Sequence, residues 1–430
     1  MRRVLTEKLI EWKEDVNKKP LILKGVPMCG KTYLLKEFGS GFYSDVVYLN
    51  FEEDVHLADL FMHNLHPDRI IKDISLLHGK DIKPDSTLII FDCIHTCPKA
   101  IYSLQYFNEH STKYHIASTG LFFDTGLPNV DVLTLYPMNF YEFLLAQNSL
   151  LAMHLKESGF SGDALHIFNN QLKDLYTDYQ IVGGMPEVVQ NWINTKSIES
   201  VDKLQSQQIT CFESTFAKYA PTSMFPKLSA IWNSVPAQLT KENRKFMFSK
   251  VKKSWRAKDL EDALYWLIRA GFVYKAEHTD KPEFPLSGHV DHTHFKLYMC
   301  DIGLLRRTAR IPASVITDKT KNYKEIKGAF AENSVCCDLK IIYENDIFYW
   351  SAENPARAEV EFVIQDGSDI IPIAAKYGSV SRTRSLMQYS IKFKPKKSVL
   401  TSIENDKPDI LPIYAFWNLK QWLEYQYPKT

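Results

Sequence analysis

A short glycine-containing segment near the start of the chain most constrains its fold. Residues 25–32 read Gly-Val-Pro-Met-Cys-Gly-Lys-Thr, which matches the pattern GxxxxGK[ST]. The apolar stretch Leu21-Ile22-Leu23 precedes it and predicts a buried strand, and the residues from Lys31 onward predict a helix. A glycine turn between a strand and a helix directs backbone N–H groups toward bound phosphate at the positive end of the helix. The segment therefore predicts a phosphate-binding loop in an α/β domain.

The residue types in this loop suit the phosphates of a nucleotide, which we take to be ATP, together with Mg²⁺. We expect Lys31 to reach the β- and γ-phosphates and the Thr32 hydroxyl to ligate Mg²⁺. The second element of such a site is an apolar strand that ends in an acid, and Leu88-Ile89-Ile90-Phe91-Asp92 provides it. Asp92 is expected to hold Mg²⁺ through a coordinated water, so Lys31 and Asp92 are the candidate catalytic residues. The candidate nucleotide-binding residues are Gly25, Val26, Pro27, Met28, Cys29, Gly30, Lys31 and Thr32.

The strand predicted at Val46–Asn50 lies between these two elements, which is the arrangement of the additional-strand P-loop ATPases rather than the kinase-like branch. That class normally has a Glu directly after the Asp to orient the attacking water, but this chain has Cys93. A thiol is a weak acceptor and is mostly protonated at neutral pH, so Cys93 is a poor substitute base. Ser118 and Thr119, at the end of the next predicted strand, are candidates for sensing the γ-phosphate, although most strand ends carry a polar residue.

Alternating strand and helix patterns predict a parallel, doubly wound α/β sheet in the first third of the chain. The predicted strands are Pro20–Lys24, Val46–Phe51, Thr87–Asp92, Tyr114–Ser118 and Val130–Leu135, and the predicted helices are Lys31–Phe38, Leu57–His78 and Pro98–His110. Helical patterns then continue to about residue 221. Short helices follow, with a hairpin that contains a Pro/Gly/His-rich loop at Lys281–His294. After residue 323 we predict a helix, three strands, a second helix and further strands.

Composition places few limits on partners. The chain has 52 Lys and Arg residues against 51 Asp and Glu residues, a formal charge of +1, so a nucleic-acid site would have to be a local patch. No apolar run approaches the roughly 18–20 residues of a membrane helix, and the charged start lacks the apolar core of a signal peptide. Seven cysteines without a regular framework fit free thiols in a reducing compartment. We expect a cytoplasmic multidomain protein with no membrane partner.

Three groups of residues resemble the bacterial and archaeal AAA-type P-loop ATPases that carry a C-terminal nuclease-like domain of unknown function. They are the phosphate-binding loop with residues 91–100 (FDCIHTCPKA), residues 133–144 (LTLYPMNFYEFL) with Gly183-Gly184-Met185-Pro186, and residues 295–305 (FKLYMCDIGLL). The resemblance implies an ATPase core at 1–150, a helical lid at 151–224 and a winged-helix-like segment at 225–318. It also implies a degenerate domain similar to PD-(D/E)xK nucleases at 319–430.

This chain departs from that family at catalytic positions. Cys93 replaces the Glu of the usual Asp-Glu pair, His95 stands where Gln is common, and Leu127–Val132 lacks an Arg that many relatives carry. If that Arg stabilises transition-state charge, its loss removes a second catalytic device, unless a neighbouring subunit of a homo-oligomer supplies one. Three functions stay open: a slow ATPase acting as a nucleotide-dependent switch, a non-hydrolysing nucleotide-binding scaffold, and an ATP-regulated nuclease.

The C-terminal segment shows similar losses. A metal-dependent nuclease needs carboxylates to hold Mg²⁺ and a Lys beside the attacking water or the phosphate. The resemblance assigns Glu332 and Glu361 to two acid positions and Lys376 to the Lys, but Ala374 replaces the third acid. We therefore expect a retained fold that serves packing, or that holds nucleic acid without cutting it.

Two weaker patterns concern DNA and zinc as partners. Lys241–Lys258 holds eight basic residues against one acid, a local charge of +7, with aromatic residues interleaved. On a winged helix such a run contacts DNA phosphates; the alternative is a solvated helical face, and the pattern does not choose between them. His289, His292 and His294 invite a zinc interpretation, but no CxxC or HxxxH partner accompanies them, so loop residues without a ligand role are favoured.

Overall fold

The computed structural model divides the chain into two units, each with its own sheet. The described residues are 1–121, 129–160, 163–241, 244–318, 323–352, 358–378, 384–404, 407 and 409–428. The first unit covers Met1–Tyr136 and the second covers Pro137–Thr430. The finer four-part division stays a prediction. Among the described residues, none of the helices is both long and apolar enough to cross a membrane.

Strands and helices alternate through the first unit, as the sequence predicts. Its strands are β1 (Leu21–Lys24), β2 (Asp45–Asn50), β3 (Thr87–Asp92), β4 (His115–Gly120) and β5 (Asp131–Thr134). Its helices are α1 (Leu5–Glu14), α2 (Lys31–Phe42), α3 (Pro67–His78) and α4 (Pro98–His110). Short 3₁₀ helices lie at Val55–Phe61 and Ile94–Thr96.

The sheet of the first unit is wholly parallel, in the order β2-β3-β4-β1-β5. All six residues of β3 are buried, as expected for an inner strand with both faces covered. The strand between β1 and β3 is β4, so His115–Gly120 is the additional strand of the predicted class. Val46–Asn50 instead belongs to the edge strand β2, beside β3. Because parallel strands end at the same edge, the carboxyl ends of β1 to β4 meet near the start of α2.

The helix predicted at Leu57–His78 is wrong as a single element. The structure has a 3₁₀ helix at Val55–Phe61 and begins α3 at Pro67. Pro67 takes the first helical position, where no intrahelical hydrogen bond is lost, and it keeps His66 extended at φ −66° and ψ 125°. The proline therefore separates two short helical segments.

The second unit begins with a run of helices and continues into a mixed sheet. Its helices are α5 (Phe140–Gln147), α6 (Ser149–Ser158), α7 (Ala164–Ile167), α8 (Asn169–Val182), α9 (Pro186–Thr195), α10 (Ile198–Tyr219), α11 (Phe225–Leu239), α12 (Ala257–Arg269), α13 (Ile302–Thr308), α14 (Ala313–Thr317), α15 (Lys324–Tyr343), α16 (Arg384–Phe393) and α17 (Leu419–Gln426). Its strands are β6 (Val273–Thr279), β7 (Val290–Met299), β8 (Ile347–Ser351), β9 (Glu359–Asp366), β10 (Asp369–Ala375), β11 (Val399–Ser402) and β12 (Leu411–Pro412). Further 3₁₀ helices lie at Phe248–Lys250, Leu286–His289 and Ile413–Asn418.

One sheet joins segments that the sequence assigned to two domains. Its order is β12-β11-β10-β9-β8-β6-β7. β6 and β7 form the predicted hairpin, but Val290–His294 belongs to β7, so only the first part of Lys281–His294 is a loop. β6 also pairs in parallel with β8. The predicted winged-helix segment and the predicted nuclease-like segment therefore share a sheet, and both finer assignments stay predictions.

Segments that carry the resemblance in this half of the chain meet at one buried point. The Asp301 carboxylate accepts hydrogen bonds from the backbone N–H of Gly184 at 2.6 Å and of Leu304 at 2.8 Å. The Met138 N–H in turn donates to the Gly184 carbonyl at 2.7 Å. A Cβ at Gly184 would lie 1.9 Å from the Met138 carbonyl oxygen, so only glycine permits this approach. These residues therefore position the helices of the second unit.

A second buried acid lies nearby on α15. Asp338 is 4% exposed, and burial raises its pKa to about 8. A hydrogen bond with the Asn139 side chain, which also caps α5, lowers the pKa by a smaller amount. Asp338 is therefore protonated at neutral pH in the folded chain and ionised in the unfolded chain.

This difference predicts a pH dependence of stability. Between about pH 4 and pH 8 the folded state holds a proton on Asp338 that the unfolded state has lost, so the stability from this group falls as pH rises, by on the order of 1 kcal/mol per pH unit. Asp338→Asn removes that component. Urea unfolding should therefore show the variant gaining stability relative to wild type as pH rises from 5 to 8. Asp346→Asn, at an exposed position, is the control, and parallel profiles for Asp338→Asn and wild type would contradict the account.

Candidate nucleotide-binding site

The loop after β1 leads directly into the amino end of α2. Gly30 precedes the helix with φ 97°, in the left-handed region that favours glycine. The Arg3 guanidinium donates hydrogen bonds to the Cys29 carbonyl of the loop at 2.9 Å and to the Tyr136 carbonyl at 2.6 Å. The first turn of α2 contains no acid, so no carboxylate there offsets the positive end of the helix dipole. This geometry suits an anion.

The Lys31 ammonium lies against the loop itself. It donates to the carbonyl oxygens of Gly25 and Val26, both at 2.8 Å. In the described part of the chain no carboxylate forms an ion pair with Lys31. Its charge is therefore available to phosphate oxygens, which would replace the two carbonyls as acceptors.

The Asp92 carboxylate accepts four hydrogen bonds from described residues at the carboxyl edge of the sheet. Its carboxylate is 3% exposed. One oxygen accepts hydrogen bonds from the hydroxyls of Thr32 at 2.9 Å and Tyr48 at 2.7 Å. The other accepts from the Thr119 hydroxyl and from the Cys93 N–H, the latter at 3.1 Å. The described residues bring no cationic side chain within ion-pair distance of this acid.

The donor set around Asp92 fits Mg²⁺. Carboxylate and hydroxyl oxygens are the ligands that this ion prefers, and it often binds through one or two carboxylates with waters and substrate phosphates. Thr32 and Asp92 are already in contact, at the amino end of α2 and the carboxyl end of β3. A buried carboxylate without a cationic partner is also suited to a bound cation. The sequence assigned both residues to the metal, and the structure brings them together.

Sequence reasoning missed Tyr48 and did not foresee the contact of Thr119. Tyr48 lies on β2, and the Lys36 ammonium sits 3.4 Å from the centre of its ring. Burial and the bond to Asp92 raise the pKa of Tyr48, so its hydroxyl stays a donor. Thr119 was one of two sensor candidates. The other, Ser118, is fully buried, and its hydroxyl has no hydrogen-bond partner among the described residues.

Cys93 occupies the position where a catalytic Glu was expected. Burial, followed by the charge of Asp92, raises the pKa of the Cys93 thiol to about 12, so the thiol stays protonated. The thiol also forms a hydrogen bond with the Glu52 side chain. Residues 127 and 128 of the segment Leu127–Val132 lie outside the described residues. The lack of an Arg in this segment is therefore known from the sequence alone.

The predicted acids of the C-terminal segment are paired with cations. Glu332 is fully buried and forms ion pairs with Arg244 and with the Lys296 ammonium, the latter at 3.7 Å. The Tyr298 hydroxyl also donates to it at 3.1 Å. Lys296 is itself fully buried and lies 2.5 Å from Glu359. Internal cations thus hold the positions where a divalent ion would bind.

The remaining members of this predicted centre are also paired. Lys376 forms an ion pair with Glu361, whose carboxylate also accepts from the Ala375 N–H at 3.3 Å. Ala374 packs in an apolar cluster with Leu400 and Ile410. Among the described residues no group of three or more His, Cys, Asp or Glu side chains could hold a metal ion. The arrangement does not fit Mg²⁺.

The histidines and the basic run are placed differently from each other. His292 pairs with Glu277 at 3.0 Å and His294 with Asp291 at 2.7 Å, which does not make a zinc site. In Lys241–Lys258, residues 242 and 243 lie outside the described residues. Arg244 faces inward to the acids, whereas the other basic residues except Lys245 are exposed: Lys241, Lys250, Lys252, Lys253, Arg256 and Lys258. The seven cysteines are free thiols.

Comparison with known families agrees with the site in the first unit. A family described as an AAA domain matches residues 17–144. Two domains of unknown function match later parts of the chain, DUF8612 over residues 173–315 and DUF4143 over residues 327–421. No curated protein matches the chain. Residues 17–144 therefore form a P-loop AAA-type ATPase domain, which confirms that part of the predicted resemblance; the nuclease-like domain is not shown.

Several solved structures are similar to the chain at low identity. A Walker-type ATPase of Pyrococcus abyssi has a TM-score of 0.42 and 12% identity, covering 72% of this chain and 96% of that one. The ORC1 protein of Aeropyrum pernix in complex with DNA has a TM-score of 0.28 and 12% identity, covering 73% and 92%. A signal transduction ATPase of Pyrococcus horikoshii with a tetratricopeptide repeat sensor has a TM-score of 0.28 and 13% identity, covering 80% and 45%. Similarity at this level carries no argument about function.

The placement of Lys31 predicts its effect on binding. Lys31→Ala removes a charged donor to phosphate, and hydrogen bonds to charged groups contribute about 1.5–3 kcal/mol, so Mg-ATP affinity should fall about 10- to 100-fold. Titration calorimetry on wild type and variant measures this directly. Lys80→Ala, an exposed lysine of the same unit, should leave affinity unchanged; equal affinity of Lys31→Ala and wild type would refute the assignment of the loop.

The ion pairs of the second unit predict a strong energetic coupling. Lys296→Met leaves Glu359 without its partner and should reduce the free energy of unfolding by about 3 kcal/mol. Adding Glu359→Gln removes the unpaired charge, so the double variant should be more stable than Lys296→Met alone. Urea unfolding of wild type, both single variants and the double variant gives the coupling energy, and strictly additive losses would show that the pair is not coupled.

Proposed function

We propose that this chain binds ATP with Mg²⁺ through its P-loop, hydrolyses it slowly and acts as a nucleotide-dependent switch. The contact between the Thr32 hydroxyl and Asp92, at 2.9 Å, is the observation that carries the proposal. It joins the start of α2 to the end of β3, so the loop and the metal-holding acid face the same point. A chance glycine turn would not require an uncompensated buried acid at that point.

Each residue of this site has a distinct role in the proposal. The N–H groups of the loop and the amino end of α2 bind the phosphates, and Lys31 neutralises charge on the β- and γ-phosphates. Thr32 and Asp92 would hold Mg²⁺, which supplies charge neutralisation on the phosphate oxygens when bound. Tyr48 and Thr119 orient Asp92 through its two oxygens.

The expected rate is low because the position after Asp92 carries a protonated thiol. General base catalysis typically contributes about 10²- to 10⁴-fold, so a site without a carboxylate directly after Asp92 loses part of that factor. The same observation favours the second candidate, a nucleotide-binding scaffold without turnover. Phosphate binding does not depend on Cys93, so both candidates share the binding step.

An ATP-regulated nuclease is the least supported function. Its acids Glu332 and Glu361 are occupied by Arg244, Lys296 and Lys376, and position 374 offers no carboxylate. The DNA contact through Lys241–Lys258, the homo-oligomer and the cytoplasmic location stay predictions. The six exposed cations of that run support a DNA contact, but Arg244 pairs with Glu332 and Lys245 is half-buried.

A substitution at position 93 separates the two leading candidates. Cys93→Glu places a carboxylate directly after Asp92, and phosphate release in the presence of Mg-ATP should rise by about tenfold or more. Cys93→Gln has the same size as Cys93→Glu but lacks the charge, and it should not show this rise. A rise with Cys93→Glu alone would show that a carboxylate at position 93 speeds a site that already turns over ATP, and no rise would favour the scaffold.

A further inference from the structure

The first unit contains a carboxylate that no motif assigns to the site. Glu52 hydrogen-bonds with the Cys93 thiol, on the residue that follows Asp92. The charge of Lys31 also acts on the pKa of this thiol, lowering it slightly. Cys93 itself has φ 54°, in the left-handed region, which turns the chain sharply after β3. Glu52 is therefore near the place that the missing catalytic Glu would occupy.

Strand pairing fixes where Glu52 leaves the sheet. Asn50 is level with Asp92 in the parallel ladder of β2 and β3, and the next N–H, of Phe51, donates to the Asp92 carbonyl at 3.1 Å. Phe51 is 4% exposed and packs edge-on against the Phe91 ring, with centroids 5.6 Å apart. The residue after Phe51 thus emerges at the carboxyl edge, beside the end of β3.

A turn at Asn50 then holds the local backbone. The Asn50 side-chain oxygen accepts from the N–H of Glu52 at 3.0 Å and of Glu53 at 3.4 Å. The amide nitrogen of Asn50 donates to the Tyr48 hydroxyl at 3.2 Å, and that hydroxyl donates to Asp92. One chain of hydrogen bonds therefore links the backbone of Glu52 to the acid proposed to hold Mg²⁺.

We propose that Glu52 supplies the carboxylate that positions the attacking water, in place of the Glu that Cys93 replaces. This inference rests on the proposed function. The Glu52 carboxylate accepts a proton from the water as the water oxygen forms a bond to the γ-phosphorus. The bond from the γ-phosphorus to the bridging oxygen breaks, and ADP leaves with that electron pair, giving ADP and inorganic phosphate. The hydrogen bond with the Cys93 thiol orients the Glu52 carboxylate.

The test compares two neighbouring glutamates in the same loop. Glu52→Gln keeps an oxygen that accepts from the Cys93 thiol but removes the charge, so kcat for phosphate release should fall about 100-fold, while calorimetric Mg-ATP affinity stays within about twofold of wild type. Glu53→Gln, also exposed and one residue away, should leave both quantities unchanged. Adding Cys93→Glu to Glu52→Gln should restore turnover, because the carboxylate returns beside Asp92.

The outcomes separate this inference from the function on which it rests. Wild type that binds and hydrolyses ATP while Glu52→Gln keeps the wild-type kcat would overturn the role of Glu52 alone. Loss of ATP affinity in Glu52→Gln together with kcat would show a structural residue and also overturn it. Wild type that binds ATP without any turnover would overturn it because there is no reaction to assist. Wild type that does not bind ATP at all would overturn the proposed function first.

Discussion

A buried carboxylate, to which the described residues bring no cationic partner, organises the first unit. Asp92 is held by hydroxyls from α2, β2 and β4 and by the backbone N–H that follows β3. Each bond to a charged acceptor stabilises the fold, yet together they leave negative charge at the edge where the loop ends. The same contacts bring Thr32 to Asp92, so the network that holds the strand ends in register also prepares the position for Mg²⁺.

The buried acids Glu332 and Glu361 of the second unit differ from Asp92 in having cationic side chains as partners. They are neutralised inside the chain, by Arg244 and Lys296 and by Lys376 respectively. Removing one partner from such a group leaves an uncompensated charge, so the cluster resists piecemeal change. In one unit an acid is left for a bound cation, whereas in the other side-chain cations complete the site. This contrast explains why the first unit is suited to nucleotide binding and the second is not suited to metal-dependent cleavage.

Much of the first unit could be predicted from the sequence because its signals are local. The loop pattern, the strand ending in Asp92 and the alternation of strands and helices all lie within short segments. The partners of Asp92 could not be predicted, since Tyr48 and Thr119 reach it only through the strand order that places β3 between β2 and β4. The ion pairs of Arg244 and Lys296 could not be predicted either, because ion pairs between distant segments leave no periodic pattern in the sequence. Pro67 indicates a helix boundary in the sequence, and the prediction of one helix over Leu57–His78 did not use it.

The proposed function requires that the loop and Asp92 together bind a nucleoside triphosphate with Mg²⁺. Calorimetric titration of the purified wild-type chain with ATP, once with Mg²⁺ and once with excess EDTA, tests it most directly. We expect saturable binding of one ATP per chain with Mg²⁺ and clearly weaker binding without it, since Thr32 and Asp92 act through the ion. No binding under either condition, or identical binding with and without Mg²⁺, would contradict it.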